Sequence, residues 1–356
     1  MMFDRFDRYV ARNVLAAMLI TQFTLLSLDF TISFINELGD TRGDYGPLSI
    51  LAYLAIRMPW RFYAYAPVAV LLGALLGLGA MASSNELTAM RAAGRSIGRL
   101  IWGVMKPLAL VVIVTMAVGE WLVPQTEQAA KAYRTERIQG QGAINAVSGG
   151  WQIEGQDVYH FGAIRSDNVL IGVTRYHYDE GRLVSASYAD RGVWNADERR
   201  WRLEGVRETS FEDSGTVSER YDVLDWQTSF DPQFLTLVIM APDTQSIGSL
   251  WRFAHYQDAQ GVNSNTSWLY FWQKVLQPLA LAGLVLVAAS FVFGPLRSVA
   301  AGTRIFYGVI VGLSFKYLQD LLAPSSILFG FSPIWAVVIP IFACFAFGAF
   351  LLRRTG

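Results

Sequence analysis

The chain has 356 residues, of which 53% are hydrophobic and only 16% charged, and its formal net charge at neutral pH is zero. Zero net charge with no isolated block of Lys or Arg excludes the electrostatic footprint of a nucleic-acid partner. The single cysteine, Cys344, excludes an intramolecular disulfide and any cysteine-built metal site, and His160, His177 and His255 do not stand at ligand spacing.

Six apolar runs, at about residues 14–35, 51–82, 100–123, 274–293, 304–322 and 333–352, are long enough to cross a ~30 Å hydrocarbon core. The first follows Arg5, Arg8 and Arg12, a flank that a signal peptide would share. The run is too long for one and passes into "SFINELGD" without a small-residue cleavage site, so a retained anchor is expected. The second carries Pro59 and Pro67, where breaks are expected, and Gly73 and Gly77 in a GxxxG arrangement that suits close helix packing.

Between the second and third runs lies "SSNELTAMRAAG", residues 83–94. Ser83 and Glu86 fit a capping box and Gly94 a C′ residue, while Leu87, Met90 and Ala93 form a stripe that would stay exposed without a partner. A stopper and a docking helix are both open readings. Trp60, Trp102, Trp121, Trp268 and Trp272 fall at span ends and read as interfacial anchors.

After the third run a charged helical neck, "PQTEQAAKAYRTERIQ", leads to alternating segments such as "DVYHFGAI", "NVLIGVTRYHYDE" and "RWRLEGVRETSFE". Short strands at this spacing predict a β-sandwich or jelly roll, with hairpins closed at "DEGR" and "NADERR". "SIGSLWRFAHYQDAQG" then reads as an amphipathic helix leading back to the membrane. The expected fold class is a six-span all-α membrane protein with an inserted all-β jellyroll-like domain. Its expected parts are 1–123 (spans one to three), 124–272 (the β domain) and 273–356 (spans four to six). Lys and Arg favour the N-terminal tail, the 83–99 loop (Arg91, Arg95, Arg99), Arg297 and the C-terminal Arg353 and Arg354. The positive-inside rule therefore places both termini in the cytoplasm and the β domain outside.

Charges within spans are costly and must face protein, water or headgroups. They are Asp29, Lys106, Lys316 and Asp320, the last two four residues apart on one helical face. A cavity wall or headgroup contact is one reading; an internal ion pair or a snorkelling side chain is the other. No Walker A pattern, nucleophile elbow or HExxH helix occurs, so the chain is expected to be no enzyme and to hydrolyse no nucleotide itself.

The segments "LLGALLGLG" into "SNELTAMRAAG", "VMKP", "GEWLVPQTEQ", "KVLQPL" and "SFVFGPLRS", in this order, resemble the LptF/LptG family of lipopolysaccharide-export permeases over essentially the whole chain, with the last resembling its LptG-like branch. The resemblance implies a half-transporter of the bacterial inner membrane that binds no cofactor. It would pair with an LptF-like permease on an LptB-like dimeric ATPase that uses ATP and Mg. An LptC-like anchored protein and an LptA-like bridge would carry lipopolysaccharide onward from the periplasmic jellyroll. It also implies a coupling helix, naming Ser84, Glu86, Leu87, Met90, Arg91 and Gly94. A lipid gate would lie on spans one and five, near Asp29, Phe34, Arg42, Lys316 and Asp320. LptG-like chains can carry lysines at the outer end of span one, and here "SFINELGDTRGD" offers only Arg42.

A lipid with about six acyl chains of about a dozen carbons would cost on the order of 50 kcal/mol to expose to water, at ~0.8 kcal/mol per CH₂, so its route must stay apolar. Tyr159, Phe161, Tyr176 and Tyr188 are the candidate lining in the β domain, with ordinary core packing the other reading for each. Two further classes fit the composition. A membrane enzyme acting on a lipid headgroup would need two titratable groups at one depth, for which no motif is present. A mechanical permease of the lipoprotein-release type would carry fewer spans.

Overall fold

The computed structural model describes residues 5–41, 44–139, 150–164, 167–212, 215–226, 228, 230–259, 263–294 and 299–355. In chain order these form α1 (Arg5–Leu38), α2 (Pro47–Ile56), α3 (Met58–Ser83), α4 (Glu86–Ala92), α5 (Ile97–Ala117), a π-helical turn (Val118–Leu122) and α6 (Val123–Gln139). Six strands follow: β1 (Gly150–Glu154), β2 (Asp157–Ile164), β3 (Val169–Asp179), β4 (Arg182–Asn195), β5 (Arg200–Glu212) and β6 (Gly215–Trp226). The chain returns through α7 (Pro232–Ile239), α8 (Ile247–Ala259), α9 (Asn265–Phe293), α10 (Ala301–Phe329) and α11 (Pro333–Thr355). It divides into two compact units, one of Met1–Thr31, Trp60–Glu120 and Ser246–Gly356, the other of Ile32–Pro59 and Trp121–Gln245.

The first unit is a helical membrane bundle. Among the described residues five helices are long and apolar enough to cross a bilayer: α1, α3, α5 running on through α6, α9 and α11. The 29-residue α10, which carries Lys316 and Asp320, is not among the five. The core joins Val14 and Met18 of α1, Leu71, Leu75 and Leu78 of α3, Leu87 and Met90 of α4, Val104 of α5 and Leu284 and Val285 of α9. Small residues set the closest approach, because a Cβ on Gly77 would stand 2.9 Å from the Val14 Cα and one on Gly73 2.7 Å from the Met18 nitrogen.

The proline breaks differ from expectation. The helix is interrupted at Arg57, the C-cap of α2, and restarts at Met58 with Pro59 in its first turn, where a missing N–H costs nothing. Pro67 lies inside an unbroken α3.

The second unit contains one antiparallel sheet in the order β1-β2-β3-β4-β5-β6, each strand pairing with the next in sequence. A jelly roll has crossovers between two sheets, whereas the described strands form an up-and-down meander. Both expected turns close hairpins. Glu180 (φ 49°) and Gly181 (φ 80°) take the two left-handed positions of a tight turn between β3 and β4. The Asn195 side chain accepts from the amides of Asp197 (3.1 Å) and Glu198 (3.4 Å) between β4 and β5.

The sheet is strongly curled. Flat, β2 and β6 would lie four strand spacings apart, about 19 Å at ~4.8 Å each, yet the rings of Tyr159 and Trp226 are 4.9 Å apart. Trp201, Phe161, Leu170 and Leu235 are wholly buried in the apolar cluster of this unit, and the Trp201 indole donates to the Phe230 carbonyl at 2.8 Å.

Candidate functional site

Three regions carry the candidate residues: the α4 segment, the charged positions of the helices, and one face of the sheet.

The α4 segment corrects the capping expectation. Ser83 belongs to α3, where its hydroxyl donates to the Ala80 carbonyl at 2.8 Å, and Ser84 does likewise at 3.1 Å. The N-cap of α4 is Asn85, in the left-handed region (φ 61°) that Asn tolerates better than most residues, with no side-chain cap. The other end closes as a Schellman motif: Gly94 at φ 84° donates to the Arg91 carbonyl (3.0 Å), and Arg95 donates to that of Met90 (3.2 Å).

The apolar stripe is also not left bare. Leu87 and Met90 are 4% and 6% exposed and belong to the helical core, while Ala93 remains exposed. Tertiary contacts within the chain cover Leu87 and Met90, two of the three positions of the stripe. What faces outward is Ser84, Thr88, Ala89, Arg91 and Gly94. Glu86 is half-buried, and its Oε2 has no hydrogen-bond partner among the described residues.

The charged positions resolve into pairs. Asp29 on α1 is bound to Arg61 of α3, which is 5% exposed, and the Tyr65 hydroxyl donates to the same carboxylate at 2.7 Å. Lys106 on α5 reaches Asp7 of α1 at 2.5 Å, an internal ion pair. Lys316 and Asp320 pair at 2.8 Å on α10, with more than half of each side chain exposed, beside exposed Leu313, Tyr317 and Leu321. Phe34 is half-buried on α1 and belongs to the second unit, whereas Asp29 belongs to the first. Arg42 lies outside the described residues.

Strand register divides the four aromatic candidates. Tyr159 pairs with Arg175 and Phe161 with Val173, which puts all four on the face that carries the apolar cluster. Tyr176 pairs with Val158, and Tyr188 with Thr174, so both stand on the opposite face. There Tyr176 stacks with Trp151 (centroids 6.2 Å), and the Arg207 guanidinium lies 4.9 Å over the Tyr188 ring. The structure therefore does not bring the four together.

The inner face holds a groove of about 230 Å³ lined by Tyr159, Val173, Ala189, Leu203, Val206, Leu224 and Trp226, with Asp157, Arg175, Ser187 and Asp225 as its polar members. That volume is below the ~300–1,000 Å³ of a pocket enclosing a whole small molecule. A polar relay runs along its end: Trp226 Nε1 donates to the Tyr159 hydroxyl (3.2 Å), which donates to Asp157 (3.2 Å). Asp157 also accepts from Arg175 at 3.0 Å and sits 2.6 Å from His177 Nδ1.

Burial raises the Tyr159 phenol to about 12, so it stays a donor at neutral pH. Burial also pushes the Asp157 carboxyl up, but the hydrogen bonds from Arg175 and His177 outweigh it and hold the group below its ordinary value. A carboxyl depressed by folding stabilises the fold above its ordinary pKa, and that contribution is lost as pH falls through the lowered one. Acid titration below about pH 4 is thus expected to loosen this end of the sheet in the native chain, read by tryptophan fluorescence. Asp157→Asn should remove that acid-dependent step and leave the neutral-pH fold weaker.

Sequence reading missed Arg61 because one cation in "PWRFYAYAPVAV" disappears in the average of a long apolar window; its pairing with Asp29 was detectable only as two opposite charges near the same ends of adjacent spans. It also missed Asp157 and Arg175, whose meeting depends on register. Among the described residues no group of three His, Cys, Asp or Glu side chains converges to hold a metal ion.

Comparison with known proteins matches residues 8–354 to the family described as lipopolysaccharide export system permease LptF/LptG. The chain is 33% identical over 355 residues to the lipopolysaccharide export system permease protein LptG of Escherichia coli strain K12, covering 99% of each. It is 30% identical over 341 residues to the protein of the same name from Haemophilus influenzae strain Rd, covering 95% of each.

Proposed function

The chain belongs to the lipopolysaccharide export system permease family LptF/LptG, and from that premise we propose that it is the LptG-like permease half of an ABC exporter. It extracts lipopolysaccharide from the inner membrane and passes it to a periplasmic β bridge leading to the outer membrane. The observation that carries this reading is the family match, which runs through both the helical bundle and the sheet. The partners it calls for are an LptF-like second permease, an LptB-like cytosolic ATPase dimer that uses ATP and Mg, an LptC-like anchored protein and an LptA-like bridge protein. In this reading α10 is the sixth span, both termini are cytoplasmic, and the curled sheet serves as a jellyroll-like module in the bridge.

Energy enters from the ATPase because the chain has no P-loop. Its port is α4, whose seven residues are fastened into the bundle by Leu87 and Met90, so a push on the outer face moves the helical core with it. The groups offered to the ATPase are those on the outward side, Ser84, Thr88, Ala89 and Arg91, with Gly94 ending the helix. Leu87→Asp is expected to damage the bundle itself, since it buries a charge. Arg91→Glu and Ala89→Trp are the clean tests. Both should leave the amount of chain in the membrane unchanged and reduce the ATPase that co-purifies with it, and undiminished co-purification of both would overturn the coupling role.

The acyl chains take the inner face of the sheet, where Val173, Leu203, Val206 and Leu224 provide apolar contact and Arg175 stands near the groove end for an anionic headgroup. Photocrosslinkers in living cells at Val206 and Leu224 should form lipopolysaccharide adducts, while one at Tyr188 on the opposite face should not. No adduct from either groove position would sink the conduit reading.

A further inference from the structure

The helix α8 presents two contrasting faces within the first unit. Leu250 and Ala254 are wholly buried, whereas Gly248, Trp251, Arg252, His255 and Tyr256 are exposed, recurring at the spacing of one helical face. The exposed face holds an aromatic run that continues beyond the helix. Ring centroids step 4.2 Å from Trp251 to His255, 5.1 Å to Trp268, 5.4 Å to Phe271 and 5.1 Å to Trp272, the last three lying in the first turns of α9. The join is tied on both sides: Trp268 Nε1 donates to Asp258 at 3.0 Å, Ser264 bonds the same carboxylate, and the Ser267 hydroxyl donates to Gln257 at 2.6 Å.

These features select one environment. A 13-residue helix is too short to span a bilayer. Its exposed face has no aliphatic side chain but has Trp, Tyr and His, rings with an apolar body and a polar tip, which suit neither hydrocarbon nor open water and concentrate at the headgroup level. The face is also continuous with the start of α9, a helix long and apolar enough to cross the membrane.

We propose that α8 is an interfacial helix whose Trp251, Arg252, His255 and Tyr256 lie in the phospholipid headgroup layer, with the Arg252 guanidinium on lipid phosphate. The helix fixes the depth at which the chain re-enters the membrane, and it does so whether or not the transporter carries its cargo.

The test uses the full-length chain with Cys344→Ala, its only cysteine replaced, in vesicles of phosphatidylethanolamine and phosphatidylglycerol without lipopolysaccharide. Nitroxides are placed singly through Arg252→Cys, His255→Cys and Tyr256→Cys, with Ser218→Cys on exposed β6 as the water reference and Phe342→Cys on α11 as the hydrocarbon reference. Accessibility to oxygen and to a water-soluble nickel chelate should place all three α8 labels within about 5–10 Å of the headgroup boundary, between the two references. Labels as open to nickel as the one at 218 would overturn the proposal, because the face would then be in water. Labels shielded from both reagents would overturn it as well, because protein would then cover the face. Arg252 and His255 are both exposed, so the result does not depend on a label that disturbs the core.

Discussion

Replacing Asp29 by Ala should destabilise the helical bundle by about 3–5 kcal/mol, because it removes a carboxylate bound to a buried charge. The partner is Arg61, 5% exposed on α3, and the Tyr65 hydroxyl loses its carboxylate acceptor in the same step. Denaturant unfolding in mixed micelles should show the loss, and less of the variant should accumulate in membranes. Arg61→Leu alone should cost a comparable amount for the reciprocal reason. The double variant Asp29→Leu with Arg61→Leu should recover most of the stability, since apolar replacement of a whole buried pair is often neutral. If the double variant transports normally, Asp29 serves to hold α1 against α3; a stable double variant that no longer transports would give the pair a role in handling lipid.

The second large effect is expected at Gly73. A Cβ there meets the Met18 backbone at its nitrogen (2.7 Å) as well as at its Cα, so a side chain cannot be relieved by rotating a neighbour. The whole of α1 must move. Gly73→Val should therefore cost about 1–3 kcal/mol or more and separate α1 from α3 along the seam that Asp29 and Arg61 also close. Gly77→Val should behave similarly, its Cβ lying 2.9 Å from the Val14 Cα. Gly98 in α5 is the control: nothing lies within 4 Å of its Cβ position, so Gly98→Ala should be neutral or gain up to about 1 kcal/mol from helix propensity. Equal stability of the Gly73 and Gly98 variants would show that the seam is not tight.

What could be read from the residues and what could not divides along physical lines. Hydropathy located five of the six expected spans, and the four-residue spacing of Lys316 and Asp320 anticipated their pairing, because both are local properties of one helix. The stripe of Leu87 and Met90 was correctly spaced but left a stopper and a docking helix both open, since periodicity reports that a face must be covered and not by what. Ser83 and Glu86 matched a capping pattern that α3 pre-empts by running on through Ser83. In the sheet, alternation identified the strands, but whether Tyr188 shares a face with Tyr159 depends on cross-strand pairing over three strands. Within β2, Tyr159 and Phe161 are two residues apart and share a face by geometry alone. The Asp157 and Arg175 contact lies on the non-local side of the same divide.

The curl of the sheet has a mechanical meaning. The ladder bonds run from each strand to the next, while the approach of β6 to β2 rests on side chains: the Trp226 to Tyr159 hydrogen bond at 3.2 Å and their ring contact. The first is worth about 1 kcal/mol and the second about 0.5–1.5 kcal/mol. Spreading the trough sideways therefore breaks side-chain packing, the Phe161, Trp226 and Phe230 ring contacts of the buried cluster included, and no backbone pairing. The sheet is thus laced from strand to strand by backbone bonds and closed between β2 and β6 by side chains alone.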